Sequence, residues 1–319
     1  MRIMLWHVHG SWTDSFVRGR HEYLLPVTRD RGPDGAGRLG RDWPSTVECP
    51  DQALRESEVD VVLLQRPKEL QLAEDWLGRR IGLDVPAVYL EHNTPRGDVP
   101  DTRHPVAGRS DIPLVHVSAF NDLLWDAGRA PTRVIEHGVP DPGPRYTGES
   151  PAAATIINDP VRRWRVTGTD LIGRFAAAGI AVDQFGMGAG ELADRLGHPP
   201  GVRTCGDLPR AALQAELARR RCYLHLPRWT SLGLGLIEAM MLGLPVAAVG
   251  STEAYEAVPA GAGTISTDVD VLIAAAAGYL ADADLAVDTG RRARQAALRR
   301  YDLGRFLTDW DRVLGEVTR

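Results

Sequence analysis

The chain is predicted to form two α/β units, each a doubly wound parallel sheet with helices on both faces. Three observations carry the prediction. Short apolar and β-branched runs alternate with helical stretches. Residues 140–151 interrupt that alternation with four prolines and two glycines, a composition suited to a domain boundary. The alternation then restarts and runs into a nearly all-helical tail.

In the first half the strands are expected at 2–8, 22–27, 59–65, 87–91, 114–117 and 133–136, each a run dense in Val, Ile, Leu or Tyr. Residues 29–44 are rich in Gly, Arg and Asp and read as a surface loop. In the second half strands are expected at 155–158, 181–185, 202–205, 222–226, 245–249 and 263–265. Helices are expected at 169–178, 191–196, 210–219 and 234–242. The tail from 269 to 318 should be helical, with breaks near 282–284 and 301–302. This gives domains at 1–145 and 146–300, and a terminal helix over 301–319. Its apolar residues Leu303, Phe306, Leu307, Trp310, Val313 and Leu314 fall on one stripe, which is a core-packing pattern.

Bulk properties exclude several classes. With 319 residues, 44% hydrophobic and 25% charged, the chain is ordinary for a globular protein and comfortable for two domains. The net charge of −5 makes no general case for nucleic-acid binding. Lys68 is the only lysine, so almost all positive charge is arginine. Cys49, Cys205 and Cys222 form no Cys-x-x-Cys pair, so neither a disulfide framework nor a cysteine zinc site is indicated. The opening run MRIMLWHVHG reads as a strand rather than a leader, and no apolar run reaches the ~18 residues of a membrane span. A soluble, cytoplasmic protein is expected.

Chemistry should collect at strand ends, because in open α/β sheets the ligand lies beyond their carboxyl termini. Gly10 follows the first strand, His92 the run AVYLE, and Ser118 and Gly138 the next two. In the second half Asn158, Gly186, Gly206 and the pair Gly233 and Gly235 hold equivalent places. Glycine there permits close backbone approach to a ligand, though each one alone is as well explained by a tight turn. The segment 228–250, RWTSLGLGLIEAMMLGLPVAAVG, is the most specific. A glycine-punctuated turn leads into an apolar helix with one acid, Glu238. Helix-start N–H groups beside a carboxylate suit a phosphorylated ligand that carries a vicinal diol.

The order of these signals resembles the retaining glycosyltransferases of the GT-B fold, the large family four type. Their signature runs Glu-Pro-Phe-Gly-Leu, three apolar residues, Glu-Ala-Met, a spacer, Gly and Pro-Val. Here Thr230-Ser231-Leu232-Gly233-Leu234, Gly235-Leu236-Ile237, Glu238-Ala239-Met240 and Gly243-Leu244-Pro245-Val246 align with it without gaps. VIEHGVPDP, QFGMGAG and RTCGDLP resemble three further stretches of the family, so the likeness covers most of residues 113–260.

The resemblance implies two Rossmann-like domains facing across a cleft, with the acceptor on the first, a nucleotide-diphosphate sugar on the second, and the terminal helix packing back on the first. The activity implied is metal-independent hexosyl transfer with retention; the nucleotide sugar is a co-substrate and no cofactor is expected. Carried over position by position, Glu238 holds the ribose hydroxyls. The N–H groups of Gly233, Leu234 and Gly235 face the diphosphate or the sugar. Thr230 stands where the family has the glutamate that contacts the donor sugar. Gly10, Gly186, Gly206 and Asp207 complete the donor site. Thr167 replaces a family lysine, which leaves Arg162, Arg163 and Arg165 as candidates for the diphosphate, with Arg163 and Arg165 preferred for the catalytic role. A solvated basic turn is the plain alternative for these three. His92 matches a family histidine near the reacting centre, and a satisfied structural histidine is its alternative.

Two other classes compete. A metal-dependent hydrolase would use His7 and His9, two residues apart on a strand and so on one face, together with His92, His116 and His137. A nucleotide-sugar-binding protein without transferase activity is the second, motivated by Thr230 and Thr167. The acceptor is open to a small molecule, a glycan or a lipid. Residues 29–43 carry several arginines offset by acids, and read first as a solvated loop, with closure over an acceptor or a peripheral membrane contact as the alternative. A homodimer is one assembly the sequence allows.

Overall fold

A computed structural model describes all 319 residues. The chain divides into two compact units, Met1–Pro140 with Leu303–Arg319, and Asp141–Asp302.

The first unit carries a seven-stranded sheet: β1 (Arg2–Leu5), β2 (Glu22–Val27), β3 (Thr46–Pro50), β4 (Val61–Leu64), β5 (Ala87–Glu91), β6 (Leu114–His116) and β7 (Thr132–Val134). Their spatial order is β3-β2-β1-β4-β5-β6-β7, all parallel. β4 (VVLL) and β5 (AVYLE) are buried along their whole length, as strands covered on both faces must be. The order of strands reverses between β1 and β4, the switch point of the fold. Helices α1 (Gly10–Phe16), α2 (Lys68–Leu77) and α3 (Ala119–Leu124) follow β1, β4 and β6. Ser118 caps α3 by accepting a hydrogen bond from the Asn121 N–H at 3.2 Å.

The second unit has six parallel strands: β8 (Ser150–Ile156), β9 (Val182–Phe185), β10 (Val202–Gly206), β11 (Arg220–His225), β12 (Val246–Val249) and β13 (Gly263–Ser266). They lie in the order β10-β9-β8-β11-β12-β13, with the switch point between β8 and β11. Its helices are α4 (Pro160–Arg163), α5 (Ile172–Ala177), α6 (Leu192–Leu196), α7 (Arg210–Arg219), α8 (Leu234–Leu242), α9 (Ala254–Ala257), α10 (Val269–Ala281) and α11 (Ala283–Arg300). From Leu236 to Leu242 every residue of α8 is buried, which explains its apolar sequence on all sides. α11 turns a stripe of small residues inward, and a Cβ on Gly290 would sit 1.9 Å from the Gly243 carbonyl oxygen at the end of α8. Asp282 ends α10 and caps α11 by accepting from the Leu285 N–H at 2.9 Å, so the break in the tail has a capping cause.

The last helix, α12 (Leu303–Val317), belongs to the first unit. Its buried Phe306 and Trp310 meet α1, with the Trp310 ring 5.7 Å from Trp12 and 5.1 Å from Phe16. Gly138 leaves room for this contact, since a Cβ there would lie 2.3 Å from the Phe306 Cβ.

The structure corrects four sequence expectations. β3 was not anticipated; it is a half-exposed edge strand (TVECP) whose Glu and Pro suit an edge. β1 stops at Leu5 rather than at residue 8, and β8 begins five residues earlier than expected. The 169–178 helix opens as a 3-10 turn over Thr169–Leu171 before α5. Residues 29–44 do form a loop, but a pinned one: Thr28 N–H donates to the Gly35 carbonyl, Trp6 Nε1 to Asp34 O at 2.8 Å, and Trp43 is buried.

Candidate functional site

In the second unit Thr230 and Gly233, between β11 and α8, and Leu234, Gly235 and Glu238, in α8, lie beside the β8/β11 switch point. The chain leaves β11 through Leu226 and Pro227 and enters α8 behind Gly233, whose backbone is extended and which supplies no side-chain cap. The first N–H groups of α8, including those of Leu234 and Gly235, therefore carry the positive end of the helix dipole. Gly235 is required by packing: a Cβ would meet the Tyr223 hydroxyl at 2.8 Å and Ile156 at 3.2 Å. Gly233 lies over the buried His225, 3.2 Å from ring to built Cβ. One turn into the helix, Glu238 is buried, with Oε1 3.4 Å from Nη2 of Arg210 at the start of α7. Just before the helix the hydroxyl of Thr230 is buried and has no hydrogen-bond partner. A buried hydroxyl without a partner is costly, and a ligand atom would satisfy it.

Gly168 closes the same corner. It is left-handed at φ +68°, and a Cβ would lie 1.9 Å from the Leu226 carbonyl oxygen. The arginines before it separate in space. Arg162 on α4 pairs with Asp159 and Arg165 with Asp170 at 3.2 Å, with side chains 73% and 72% exposed. Arg163 is half-buried. Thr167 is buried and bonds Thr169, hydroxyl to hydroxyl at 2.9 Å. Arg228 grips Asp170 through both ends of its guanidinium, at 2.6 and 2.9 Å. Sequence reasoning did not single out Arg228, in the loop between β11 and α8, or Arg210, the first residue of α7.

Gly186, Gly206 and Asp207 line a depression of about 560 Å³ beyond β9 and β10. The Gly186 N–H donates to the Gly206 carbonyl at 2.9 Å, and both glycines have positive φ. Gly186 has no room for a side chain, since a Cβ would lie 2.6 Å from the Ile157 carbonyl oxygen. Asn158, at the exit of β8, accepts from the Met187 N–H at 3.0 Å and holds this turn against the sheet.

In the first unit His92 follows β5 and is buried, its Nε2 2.8 Å from Oε1 of Gln65. Burial, and secondarily the nearby His9 and His137, hold its pKa well below the ordinary value. The His9 ring is 4.2 Å away and the Trp12 ring meets it edge-on at 5.3 Å. Gly10 begins α1, and its missing Cβ would lie 3.2 Å from Arg41 Nη2 and 3.3 Å from His7 Nε2. His7 Nδ1 donates to the Gly37 carbonyl at 3.2 Å, since a carbonyl only accepts. Burial first, then Arg41, lowers the His7 pKa, and the Gly37 bond opposes them.

The hydrolase arrangement is not formed. Because β1 ends at Leu5, His7 and His9 lie beyond the strand and do not share a face: His7 packs on Trp43 at 4.7 Å and His9 on His92. No group of three His, Cys, Asp or Glu side chains is arranged to hold a metal, and the two open sheets are not a barrel.

Two doubly wound parallel-sheet units with this strand order define the GT-B fold. Solved structures agree. The chain is similar to sucrose-phosphate synthase from Thermosynechococcus elongatus, with a TM-score of 0.72 and 13% identity over 99% of this chain and 98% of that one. It is equally similar to HepE of Anabaena, solved in complex with UDP: TM-score 0.72, 16% identity, 99% of both chains. TarM of S. aureus, in a complex that includes UDP, gives a TM-score of 0.65 and 13% identity over 80% of this chain. The chain spans 55% of the length of TarM. No family profile and no curated protein matches the sequence.

Proposed function

We propose that the protein is a glycosyltransferase that moves a sugar, with retention, from a nucleotide-diphosphate sugar to a hydroxyl acceptor. The observation that carries the reading is the corner of the second unit where the uncapped start of α8, the buried Glu238 and the partnerless Thr230 hydroxyl meet beside the β8/β11 switch point. Donor groups for a phosphate and an acceptor for a diol are the two things a nucleotide-diphosphate sugar asks for. The neighbours solved with UDP support the choice of ligand class.

In this reading Glu238 accepts from the ribose hydroxyls and the N–H groups of Gly233, Leu234 and Gly235 stabilise the diphosphate as it departs. Gly186, Gly206 and Asp207 border the nucleotide base. Thr230 offers the donor sugar one uncharged hydrogen bond. Arg163 and Arg165 neutralise the diphosphate, for which Arg165 must leave its exposed pairing with Asp170. The leaving diphosphate takes the acceptor proton, and His92 orients the reacting hydroxyls. Neither a metal nor a cofactor is called for.

The test is thermal unfolding with UDP, GDP, ADP and UDP-glucose. A ligand at about 100 times its dissociation constant adds ~2.7 kcal/mol of stability. A chain that shifts with none of them is not a nucleotide-sugar enzyme. Tight UDP-glucose binding with neither transfer nor hydrolysis would favour the binding-protein reading, which the replacement of an acid by Thr230 supports.

A further inference from the structure

Gln65 leaves β4 at the switch point of the first unit, between the exits of β1 and β5. It is 97% buried, with relative exposure of 3%. Its backbone N–H donates to Oε2 of Glu69 at 2.6 Å, and Glu69 also binds Arg66, so the residue is anchored from α2. Its side chain spans the switch point: Nε2 donates to the Trp6 carbonyl at 2.8 Å and Oε1 lies 2.8 Å from His92 Nε2.

These two contacts determine more than position. The Trp6 carbonyl can only accept, so the NH₂ end of the amide must face it. The oxygen end then faces His92, and an amide oxygen also only accepts. His92 Nε2 must therefore carry the proton, and in the neutral ring Nδ1 carries the lone pair. The backbone carbonyl of Trp6, just past the end of β1, thus sets the tautomer of a histidine after β5, with one amide as the relay. The Trp12 and His9 rings pack against the imidazole, at 5.3 and 4.2 Å between centroids.

We propose that Gln65 is a positioning residue for His92: it holds the imidazole as the Nε2–H tautomer, so that Nδ1 is the nitrogen able to accept a hydrogen bond from a substrate hydroxyl. The claim about the tautomer concerns the protein alone, whereas the use of Nδ1 rests on the glycosyltransferase reading above. The titratable groups facing His92 are His9, at the start of α1, and His137, after β7.

Long-range proton–nitrogen NMR on the full chain with ¹⁵N-labelled histidine reads the tautomer directly, with the His92 signals assigned by their loss in His92→Asn. At neutral pH wild type should show a protonated Nε2 and a bare Nδ1. Gln65→Leu should give a mixture of tautomers. A protonated Nδ1 in wild type overturns the proposal even if every variant fails to fold. An unchanged spectrum in Gln65→Leu overturns it as well. In UDP-glucose turnover, Gln65→Leu should lower kcat roughly tenfold, the scale of one hydrogen bond, with an unchanged KM for UDP-glucose. If wild type shows the expected tautomer but turns over no nucleotide sugar, the transferase reading fails and the positioning role of Gln65 stands.

Discussion

Oε1 of Glu238 lies 3.4 Å from Nη2 of Arg210, joining a carboxylate one turn into α8 to the first residue of α7. The pair holds the only acid of α8 in place at the corner proposed for the nucleotide. Glu238→Gln keeps the shape and removes the charged acceptor, so UDP binding should weaken about tenfold, near 1.4 kcal/mol. Calorimetric titration measures this. Wild-type affinity in the variant would remove Glu238 from the ribose site.

Thr230 separates stability from binding. Its hydroxyl is buried without a partner in the free protein, so Thr230→Val should leave the melting temperature unchanged or raise it by the equivalent of ~1 kcal/mol. If the hydroxyl serves the donor sugar, the same variant binds UDP as before and UDP-glucose more weakly. Equal losses for both ligands would place Thr230 away from the sugar.

Gly168 is held by backbone geometry. Gly168→Ala must adopt a left-handed backbone and place a methyl 1.9 Å from the Leu226 carbonyl oxygen. Strain and overpacking together should cost about 3 kcal/mol or more in urea unfolding. Gly190→Ala, with open space around the built Cβ, is the control and should stay within about 0.5 kcal/mol. Similar midpoints for the two variants would contradict the packing of this corner.

Stability should fall in mild acid. Burial lowers the pKa of His225 to about 4, and burial, against the opposing pull of Asp122, lowers that of His116 to about 4. In the unfolded chain both return to about 6.5, so below that value the unfolded state binds protons that the folded state refuses. Neither group costs anything above pH 6.5. The loss develops as pH falls from 6.5 towards 4 and reaches on the order of 3 kcal/mol for each histidine. Urea midpoints taken near pH 7 and about pH 5 measure it, and His225→Gln should lose its share of the slope. A pH-independent midpoint over that range would refute the buried neutral state.

Much of the fold could be read locally. β2, β5 and α8 begin and end where their apolar runs do, because burial on both faces writes itself as a nearly continuous hydrophobic segment. β3 escaped because an edge strand buries little and needs no such run. His7 and His9 were misplaced because the apolar MRIMLWHV continues past the last paired residue, and pairing is decided by the neighbouring strand.

The candidate site divides in the same way. Glycines at strand exits and a single acid, Glu238, in an apolar helix behind a glycine turn are properties of order along the chain, and the sequence by itself determined them. It could not tell that Arg162 and Arg165 turn to nearby acids, that Arg228 holds Asp170, or that Gln65 joins Trp6 to His92. Those contacts couple residues up to 59 positions apart along the chain. Hydrogen-bond direction depends on which donor meets which acceptor in space, and only the tertiary structure decided that.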